Sequence, residues 1–355
     1  MHKYLRAFAW LIFLSASAHA QDSTRVKKDR KVKVLPVPSF GYSPETRTYI
    51  GAVALFTFHL HDEATTRASN AKVKFTYTWN KQAILENEWN YFFNEEKWFT
   101  KGRLNYSKYP DKYFGIGPET PDSNKLSFSS NRFLIEVFGL KKIGKQLFTG
   151  LNVKYADYTN VAPNEGRDMV YPELVNSSST GIGYTLLKDS RNNLLTPSEG
   201  VYGLLNGTYN FSKQNYGELS LDLRAYHTWH DRLTLAARFY NALVVGTPPF
   251  YDYSLLGGDK LVRGYFYGRF RDNNLGTLQA ELRCHIIWRL GLAAFGGVSN
   301  VYSANNPFSF SRNKPNYGGG IRFMMDRKDK TNLRLDYAVG EKGNSGFYIA
   351  FGESF

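Results

Sequence analysis

Cysteine is nearly absent from this chain, and so are the motifs that would build a catalytic centre. Its 355 residues include one cysteine, Cys284, which excludes an intramolecular disulfide and the paired-cysteine type of zinc site. No Gly-x-Ser-x-Gly stretch places a serine nucleophile on a sharp turn. We therefore predict a protein that is not an enzyme and that binds neither a metal nor a cofactor.

Long apolar runs are also scarce. No stretch of the mature chain approaches the roughly 20 apolar residues that a membrane-spanning helix needs, which excludes helices as a membrane anchor. The only apolar run near the N-terminus is shorter, since Lys3 and Arg6 precede residues 7–14 and small residues follow. This pattern predicts an export signal peptide over residues 1–20, so that Gln21 becomes the first mature residue.

Aromatic residues, in contrast, are abundant at 16% of the chain, although the mean hydropathy is negative. A membrane barrel reconciles the two, because its strands are apolar toward lipid and polar toward the lumen, with aromatic girdles at both interfaces. Period-two alternation is plain where Val73, Phe75 and Tyr77 fall on one face and Lys72 and Lys74 on the other. A soluble sandwich shows similar stripes, so the number and length of the segments must decide.

About sixteen such segments fill the mature chain, and no convincing helix separates them. We therefore predict an all-β fold, a transmembrane antiparallel β-barrel over residues 34–355, preceded by a short periplasmic segment over residues 21–33. Short and long connections alternate toward the C-terminus, as periplasmic turns and extracellular loops do. The predicted strands cover residues 32–42, 47–59, 71–80, 83–93, 97–108, 127–139, 146–159, 177–187, 200–211, 217–228, 231–245, 275–288, 291–303, 315–326, 332–340 and 346–355.

The chain ends on an amphipathic segment that finishes with an aromatic residue. Phe347, Ile349, Phe351 and Phe355 are predicted to share one face of the last strand. Such a strand resembles the signal by which the barrel-assembly machinery recognises outer-membrane barrels. These four residues are the predicted assembly signal, and that machinery is the predicted partner during insertion.

The longest connection between predicted strands carries an arginine beside a glycine. Val262, Arg263, Gly264 and Tyr265 lie within residues 257–274. Apolar neighbours, and a glycine that permits tight backbone conformations, favour a folded-in loop tip whose charge needs a partner. The alternative is a solvated arginine at the surface.

These four residues resemble the signature of the sixth extracellular loop in BamA/TamA-type barrels, the outer-membrane surface antigens that insert or translocate proteins. Residues 189–200, residues 332–337 and the aromatic-ended last strand agree with that family. The resemblance implies a sixth loop that folds into the lumen, where its arginine meets acids of the twelfth and thirteenth strands. It also implies an integral protein of the bacterial outer membrane, in contact with lipid and lipopolysaccharide.

The acidic partners can be sought residue by residue. Glu281 matches the family's first acid, and alternation independently turns its side chain inward. Gly297 stands where the family usually has an aspartate, so the second acid is missing. We predict a charge-assisted pair between Arg263 and Glu281 in the lumen, with Asp336 and Asp326 as substitute partners.

Family members that assemble proteins usually carry periplasmic POTRA modules before the barrel, and residues 21–33 are too polar and too short to form one. The resemblance then implies a stand-alone barrel, or one whose periplasmic partner is a separate chain. Two functions stay open. One is protein translocation or outer-membrane assembly acting on a polypeptide client, and the other is a passive channel or structural surface barrel without client handling.

The net charge of +14 is spread along the predicted strands. Because these cations are not clustered in one motif, we predict no binding of nucleic acid. Inward-facing Lys72, Lys74, Lys101 and Arg103 would make the lumen basic, whereas the alternative is that most cations lie in loops and pair with lipid phosphates.

Overall fold

The computed structural model describes residues 32–60, 66, 68–164, 171–326 and 331–355, with only the backbone of Asp326 and Thr331. The predicted signal peptide over residues 1–20, and the predicted periplasmic segment up to residue 31, lie outside this part.

The eighteen strands of the described residues appear in chain order as follows. They are β1 (Lys33–Ser43), β2 (Arg47–Phe58), β3 (Ser69–Thr78), β4 (Ala83–Phe93), β5 (Trp98–Tyr113), β6 (Leu126–Gly144), β7 (Leu147–Pro163), β8 (Ser177–Asp189), β9 (Gly200–Phe211), β10 (Tyr216–Trp229), β11 (Leu233–Gly246), β12 (Ser254–Leu256), β13 (Phe270–Asp272), β14 (Asn274–Ile287), β15 (Leu290–Tyr302), β16 (Lys314–Asp326), β17 (Thr331–Gly340) and β18 (Ser345–Phe351). Two single 3-10 turns occupy Asp122–Asn124 and Phe310–Arg312.

Sixteen of these described strands close into one antiparallel barrel, in which each strand pairs with its neighbours along the chain and β18 returns to β1. The short strands β12 and β13 pair with each other inside the connection between β11 and β14, and an isolated bridge joins Arg271 of β13 to Gly117. The predicted all-β barrel of about sixteen strands is confirmed. In the described residues we find no helix that is both long and apolar enough to cross a membrane.

The largest differences from the predicted strands are in β5, β6 and β7, which extend beyond the alternating segments. Tyr113 lies on the extension of β5, and its ring centroid lies 6.3 Å from that of Phe250 in the long connection. The extension of β5 is stabilised by packing on a distant loop, which no local alternation signals.

Alternation separates the two walls of the barrel. The outer wall carries large apolar side chains that are exposed, such as Ile50, Leu151 and Leu278. The inner wall carries the polar and charged partners. A membrane would cover the outer wall, which explains how a chain of negative mean hydropathy can present a continuous apolar belt.

A row of alternating charge crosses the inner wall from β3 to β7. Lys72, Glu88, Arg103, Glu136 and Lys154 lie directly opposite one another across these strands. The Lys72 ammonium lies 2.8 Å from the Glu88 carboxylate, and the Arg103 guanidinium lies 2.9 Å from the Glu136 carboxylate. The expectation of a basic lumen is wrong for this wall, because opposite charges in register on neighbouring strands pair with each other.

Candidate functional site

The connection between β11 and β14, residues 247–273, is called loop six here, and its tip packs against β16, β17 and β18. Gly264 has φ of +99°, and a Cβ atom there would lie 2.9 Å from the carbonyl carbon of Val339, so only glycine suits this position. Its N–H donates to the Tyr348 hydroxyl at 2.9 Å. Val262 and Tyr265 are fully buried, and the Tyr265 hydroxyl donates to the Pro315 carbonyl at 2.7 Å. The tip is thereby fixed by its backbone as well as by its side chains.

Arg263 is buried between two carboxylates and a ring. One guanidinium nitrogen donates to Glu281 and the other to Asp336, and all three side chains are at most 2% exposed. The guanidinium carbon lies 3.4 Å from the centroid of the Phe295 ring. The structure therefore brings Arg263 together with Glu281 and with Asp336, whereas the side chain of Asp326 lies outside the described residues.

The inner wall at Gly297 has no room for the aspartate that the family usually has. A Cβ atom at Gly297 would lie 2.7 Å from the Gln279 side chain and 3.0 Å from that of Asn316. The Gln279 amide donates to the Leu261 carbonyl, and the Asn316 amide donates to the Arg263 carbonyl at 3.0 Å. Two neutral amides thus hold the backbone of the loop tip here. The second carboxylate that contacts Arg263 is Asp336 of β17 instead.

Arg263 belongs to a larger group of buried ions. Arg322 donates to Asp336 at 2.5 Å and to Glu281 at 3.3 Å, and Arg334 joins Asp336, at 2.8 Å, to Asp259 of loop six, at 2.7 Å. The members alternate in sign, so that each guanidinium contacts a carboxylate and each carboxylate contacts a guanidinium. This lumen charge cluster comprises Arg263, Arg283, Arg322, Arg334, Asp259, Glu281, Asp336 and Glu353.

Two acids outside the strands titrate differently. Burial would raise the pKa of Asp259, but the Arg334 guanidinium, together with Lys260 and Arg263, more than offsets this effect and holds that pKa below its ordinary value. Burial raises the pKa of Glu45, in the turn between β1 and β2, above its ordinary value, although Ser43 and the Tyr267 N–H favour its charged form. No guanidinium contacts Glu45 among the described residues. The charged state is therefore stabilised at Asp259 and penalised at Glu45.

The C-terminal residues after β18 leave the barrel wall. Gly352 has φ of +78°, which turns the chain inward. The Glu353 carboxylate accepts from Arg322 at 2.9 Å, and the Ser354 hydroxyl donates to the Asp259 carbonyl at 2.7 Å. The Phe355 carbonyl accepts from Arg283, a cluster member, at 2.8 Å. This C-terminal tail, residues 352–355, is tied both to the inner wall and to loop six.

The predicted assembly signal is accordingly divided. Phe347 is exposed on the outer wall, and Ile349 and Phe351 are half-buried on the same face. Phe355 is buried and packs against Tyr226 and Ala236 of the inner wall. The prediction that Phe355 shares a face with the other three is wrong, because the strand ends before it and alternation ends with the strand.

The border between β1 and β18, called the seam here, is the weakest part of the barrel wall. Within the described residues of these two strands, backbone pairing is limited to Tyr42 and Ile349. By contrast, β17 and β18 pair continuously over the length of β18, and β1 and β2 over the length of β1. Side chains supplement the seam, since the Tyr49 hydroxyl donates to the Ile349 carbonyl at 3.4 Å and the Phe40 and Phe351 rings lie 6.1 Å apart.

Loop six contacts both sides of the seam from within. On the β18 side, Tyr348 accepts the Gly264 N–H. On the β1 side, the Tyr267 N–H donates at 2.8 Å to the carboxylate of Glu45. The same loop that carries the signature motif therefore bridges the first and last strands.

A second anchor holds loop six to the opposite wall. The Asp252 carboxylate accepts from Lys154 at 2.9 Å, from Ser179 at 3.1 Å and from the Tyr216 hydroxyl, and Lys154 also contacts Glu218 at 3.0 Å. These residues come from β7, β8 and β10, far along the chain from the signature motif.

Loop six also contacts the connection between β5 and β6. The Arg269 guanidinium donates to the Thr120 carbonyl at 2.8 Å and lies 3.1 Å from Asp122. The Gly117 N–H donates to the Arg271 carbonyl at 2.7 Å. Loop six is therefore held at its tip, at its base and against a neighbouring loop.

Several residues of this site are not among those predicted from the sequence. Arg322 and Arg334 could have been found, because alternation turns both inward beside Asp336. Glu353 lies in a stretch that was interpreted as strand, and Asp252 lies in a long loop without periodicity. For those two residues no sequence pattern indicates a partner.

Comparison with known proteins places the similarity in the barrel. The family model of the Omp85 superfamily domain matches residues 46–355. The fold is similar to that of BamA from Haemophilus ducreyi, solved lacking POTRA domains 1-3, with a TM-score of 0.61 and 11% identity over 92% of this chain and 71% of that chain. It is also similar to CdiB from Acinetobacter baumannii, with a TM-score of 0.55 and 12% identity over 90% of this chain and 65% of that chain. No curated protein matches the chain.

Proposed function

Because this chain belongs to the Omp85 superfamily, whose barrels are transport and assembly proteins of the bacterial outer membrane, we propose that it handles polypeptides there, in protein translocation or membrane assembly. The observation that carries this proposal is the seam, where backbone pairing between β1 and β18 is limited to Tyr42 and Ile349 within the described residues. A barrel wall opens most easily where the fewest backbone hydrogen bonds must break.

Loop six is proposed to act as an inward-folded latch on that seam. Its signature residues Val262, Arg263, Gly264 and Tyr265 contact the wall beside β18, and Tyr267 contacts the β1 side. Release of the loop would remove contacts on both sides at once. The lumen charge cluster sets the strength of this latch, since separating Arg263 from its acids leaves buried charges uncompensated.

The proposed surroundings follow from the outer wall and the export signal. Exposed apolar side chains fit lipid and lipopolysaccharide, and residues 1–20 would direct the chain to the periplasm for insertion by the barrel-assembly machinery. Phe347, Ile349 and Phe351 remain the proposed assembly signal. A polypeptide client, or a periplasmic partner on a separate chain, would approach the seam.

A passive channel is the second candidate, and the alternating charge row on β3 to β7 favours it. Glu88 and Arg103 keep 53% and 56% of their side chains exposed although they lie on the inner wall. Because more than half of each side chain is exposed, water and small ions could pass beside them.

A reversible lock on the seam separates the two candidates. In a Cys284→Ser background, Tyr42→Cys with Ile349→Cys places two thiols at the paired positions, and a photo-crosslinker replaces Phe40 on the seam. We expect client crosslinks in cells that disappear when the disulfide forms and return on reduction. The same crosslinker at Ile182, which is exposed on the distant strand β8, is the control. Crosslinks that ignore the lock, together with steady single-channel conductance in pure lipid, would favour the channel instead.

A further inference from the structure

A group of cations lies at the end of the barrel from which loop six enters the lumen. Its members come from the start of β2, from the turn between β3 and β4, and from the last part of β5. This group is called the rim patch here and comprises Arg47, Lys81, Lys108 and Lys112. The first three side chains are exposed, and the fourth is half-buried.

Backbone contacts bring these positions side by side. The Trp79 N–H donates to the Thr48 carbonyl at 2.9 Å, which sets the turn between β3 and β4 beside the start of β2. Ala83 of β4 lies directly opposite Lys108 of β5. The turn that carries Lys81 therefore lies between the start of β2 and the last part of β5, so the cations form one patch.

The rim patch has no counter-charge of its own. Among the described residues, none of its four side chains forms an ion pair with a carboxylate. Lys112 is repelled by Lys125 and by Arg47. Its attraction to Asp111 and to Glu45 is weaker than either repulsion. A patch of like charges without an acid favours the binding of an external anion.

Loop six supports the rim patch from within. The Lys112 ammonium lies 4.9 Å from the centroid of the Phe266 ring in loop six. The Tyr267 N–H donates at 2.8 Å to the carboxylate of Glu45, in the turn that precedes Arg47. These contacts hold parts of the patch in place before any ligand arrives, which lowers the entropy lost on binding.

Exposed aromatic side chains lie next to the rim patch on the outer wall. They are Tyr77, Trp79 and Tyr106. Lys108 follows Tyr106 on the same face of β5, because the two residues are two positions apart. In a membrane barrel such rings lie at the level of the lipid headgroups, so the patch stands where headgroup phosphates are found.

We propose that the rim patch binds the phosphate groups of lipopolysaccharide in the outer leaflet of the membrane. Arg47, Lys81 and Lys108 donate charge-assisted hydrogen bonds to the phosphate oxygens, and the acyl chains lie along the exposed rings and the apolar wall. The proposal rests on the outer-membrane surroundings given under the proposed function, and it does not depend on the handling of a client.

Binding is measured by native mass spectrometry of the full chain, released from detergent micelles after titration with bisphosphorylated lipid A. The test variant carries Arg47→Gln, Lys81→Gln and Lys108→Gln. We expect each change to weaken binding about fivefold, and the three together to weaken it on the order of a hundredfold. The matched control removes three cations at the opposite end of the barrel and should leave the affinity unchanged. It carries Lys141→Gln, Lys145→Gln and Lys188→Gln.

A second lipid identifies the source of the phosphate. Phosphatidylglycerol should bind the parent about tenfold more weakly than lipid A, since it offers one phosphate instead of two. Equal affinity for the two lipids overturns the assignment to lipopolysaccharide. Equal weakening by the test and control variants overturns the assignment to the rim patch. Displacement of lipid A by poly-glutamate would identify an acidic polypeptide as the preferred partner and would also overturn the proposal.

The gel mobility of unboiled samples verifies that each variant is folded, and Lys81→Gln alone serves if the triple variant is not. Client crosslinks that respond to the lock on the seam would still support the proposed function if lipid A did not bind. Conversely, lipid A binding that is lost in the test variant supports the rim patch even without client crosslinks. The two proposals therefore fail separately.

Discussion

Removing the Arg263 side chain is the most direct test of the latch, because among the described residues this guanidinium alone joins the tip of loop six to two buried acids. In Arg263→Ala, Glu281 keeps Arg283 and Arg322, and Asp336 keeps Arg322 and Arg334. The variant therefore does not strip either acid of partners. It leaves the lumen charge cluster one cation short and the Phe295 ring without its stacked cation.

The size of the effect follows from these contacts. Removing one partner of a buried ion pair typically costs about 3 to 5 kcal/mol of folding free energy, and losing a desolvated cation–π contact adds about 1 to 2 kcal/mol. Because the remaining arginines compensate part of the charge, we expect a loss near the lower end, about 3 kcal/mol. Glu281→Gln in the Arg263→Ala background should recover part of that loss, since charge balance returns, and the coupling should amount to about 1 to 3 kcal/mol.

The measurement is urea unfolding of the barrel in lipid vesicles, followed by gel mobility without boiling, for the parent, both single variants and the double variant. Single-channel conductance of the same proteins reports whether the loop has moved. Arg263→Lys serves as the control that keeps the charge but contacts one acid only. Additive losses, with no coupling between Arg263 and Glu281, would refute the idea that this pair holds the tip.

Three further outcomes are expected. Gly297→Asp should destabilise the barrel by about 1 to 3 kcal/mol in the same urea assay, because the new side chain displaces the Asn316 amide. A neutral or stabilising effect would contradict the lack of space at Gly297. Arg334 lowers the pKa of folded Asp259, so this acid stabilises the fold fully above its unfolded pKa of about 3.9. The stabilisation is lost as the pH falls through the lower folded pKa. Asp259→Asn should therefore make the melting temperature fall less steeply with acidification below about pH 4. Asp252→Asn should loosen the base of loop six and raise the rate of proteolysis of loop six in vesicles severalfold. The stability of the barrel in urea should change little, because the contacts of the loop tip remain. Equal proteolysis of parent and variant would contradict the second anchor.

Local alternation was sufficient to predict the barrel because each strand separates two solvents. The strand around Val73 and the strand around Leu221 were identified within a few residues, since lipid and lumen impose opposite demands on adjacent positions. The extension of β5 was not, because it is stabilised by loop residues such as Phe250. Alternation also failed at Phe355, where the glycine at position 352 ends the strand.

The candidate site was predictable where alternation and the family resemblance indicated the same inner-wall position. Glu281 is the partner of Arg263 predicted from alternation and the family resemblance together, and Asp336 is one of two predicted substitutes; the structure places both against Arg263. The anchor at Asp252 could not be predicted, because loops have no period and contacts across the lumen leave no local trace.

The row of charges from Lys72 to Lys154 has an electrical consequence for anything that crosses the barrel. An ion following that wall meets a change of sign at each interstrand step of about 4.8 Å, which is shorter than the screening distance of about 8 Å in physiological salt. The electric fields of neighbouring groups cancel, so this wall does not select between cations and anions. A potassium chloride gradient should therefore give a reversal potential close to zero. An unfolded segment of mixed charge would slide past the same wall without being trapped by either sign.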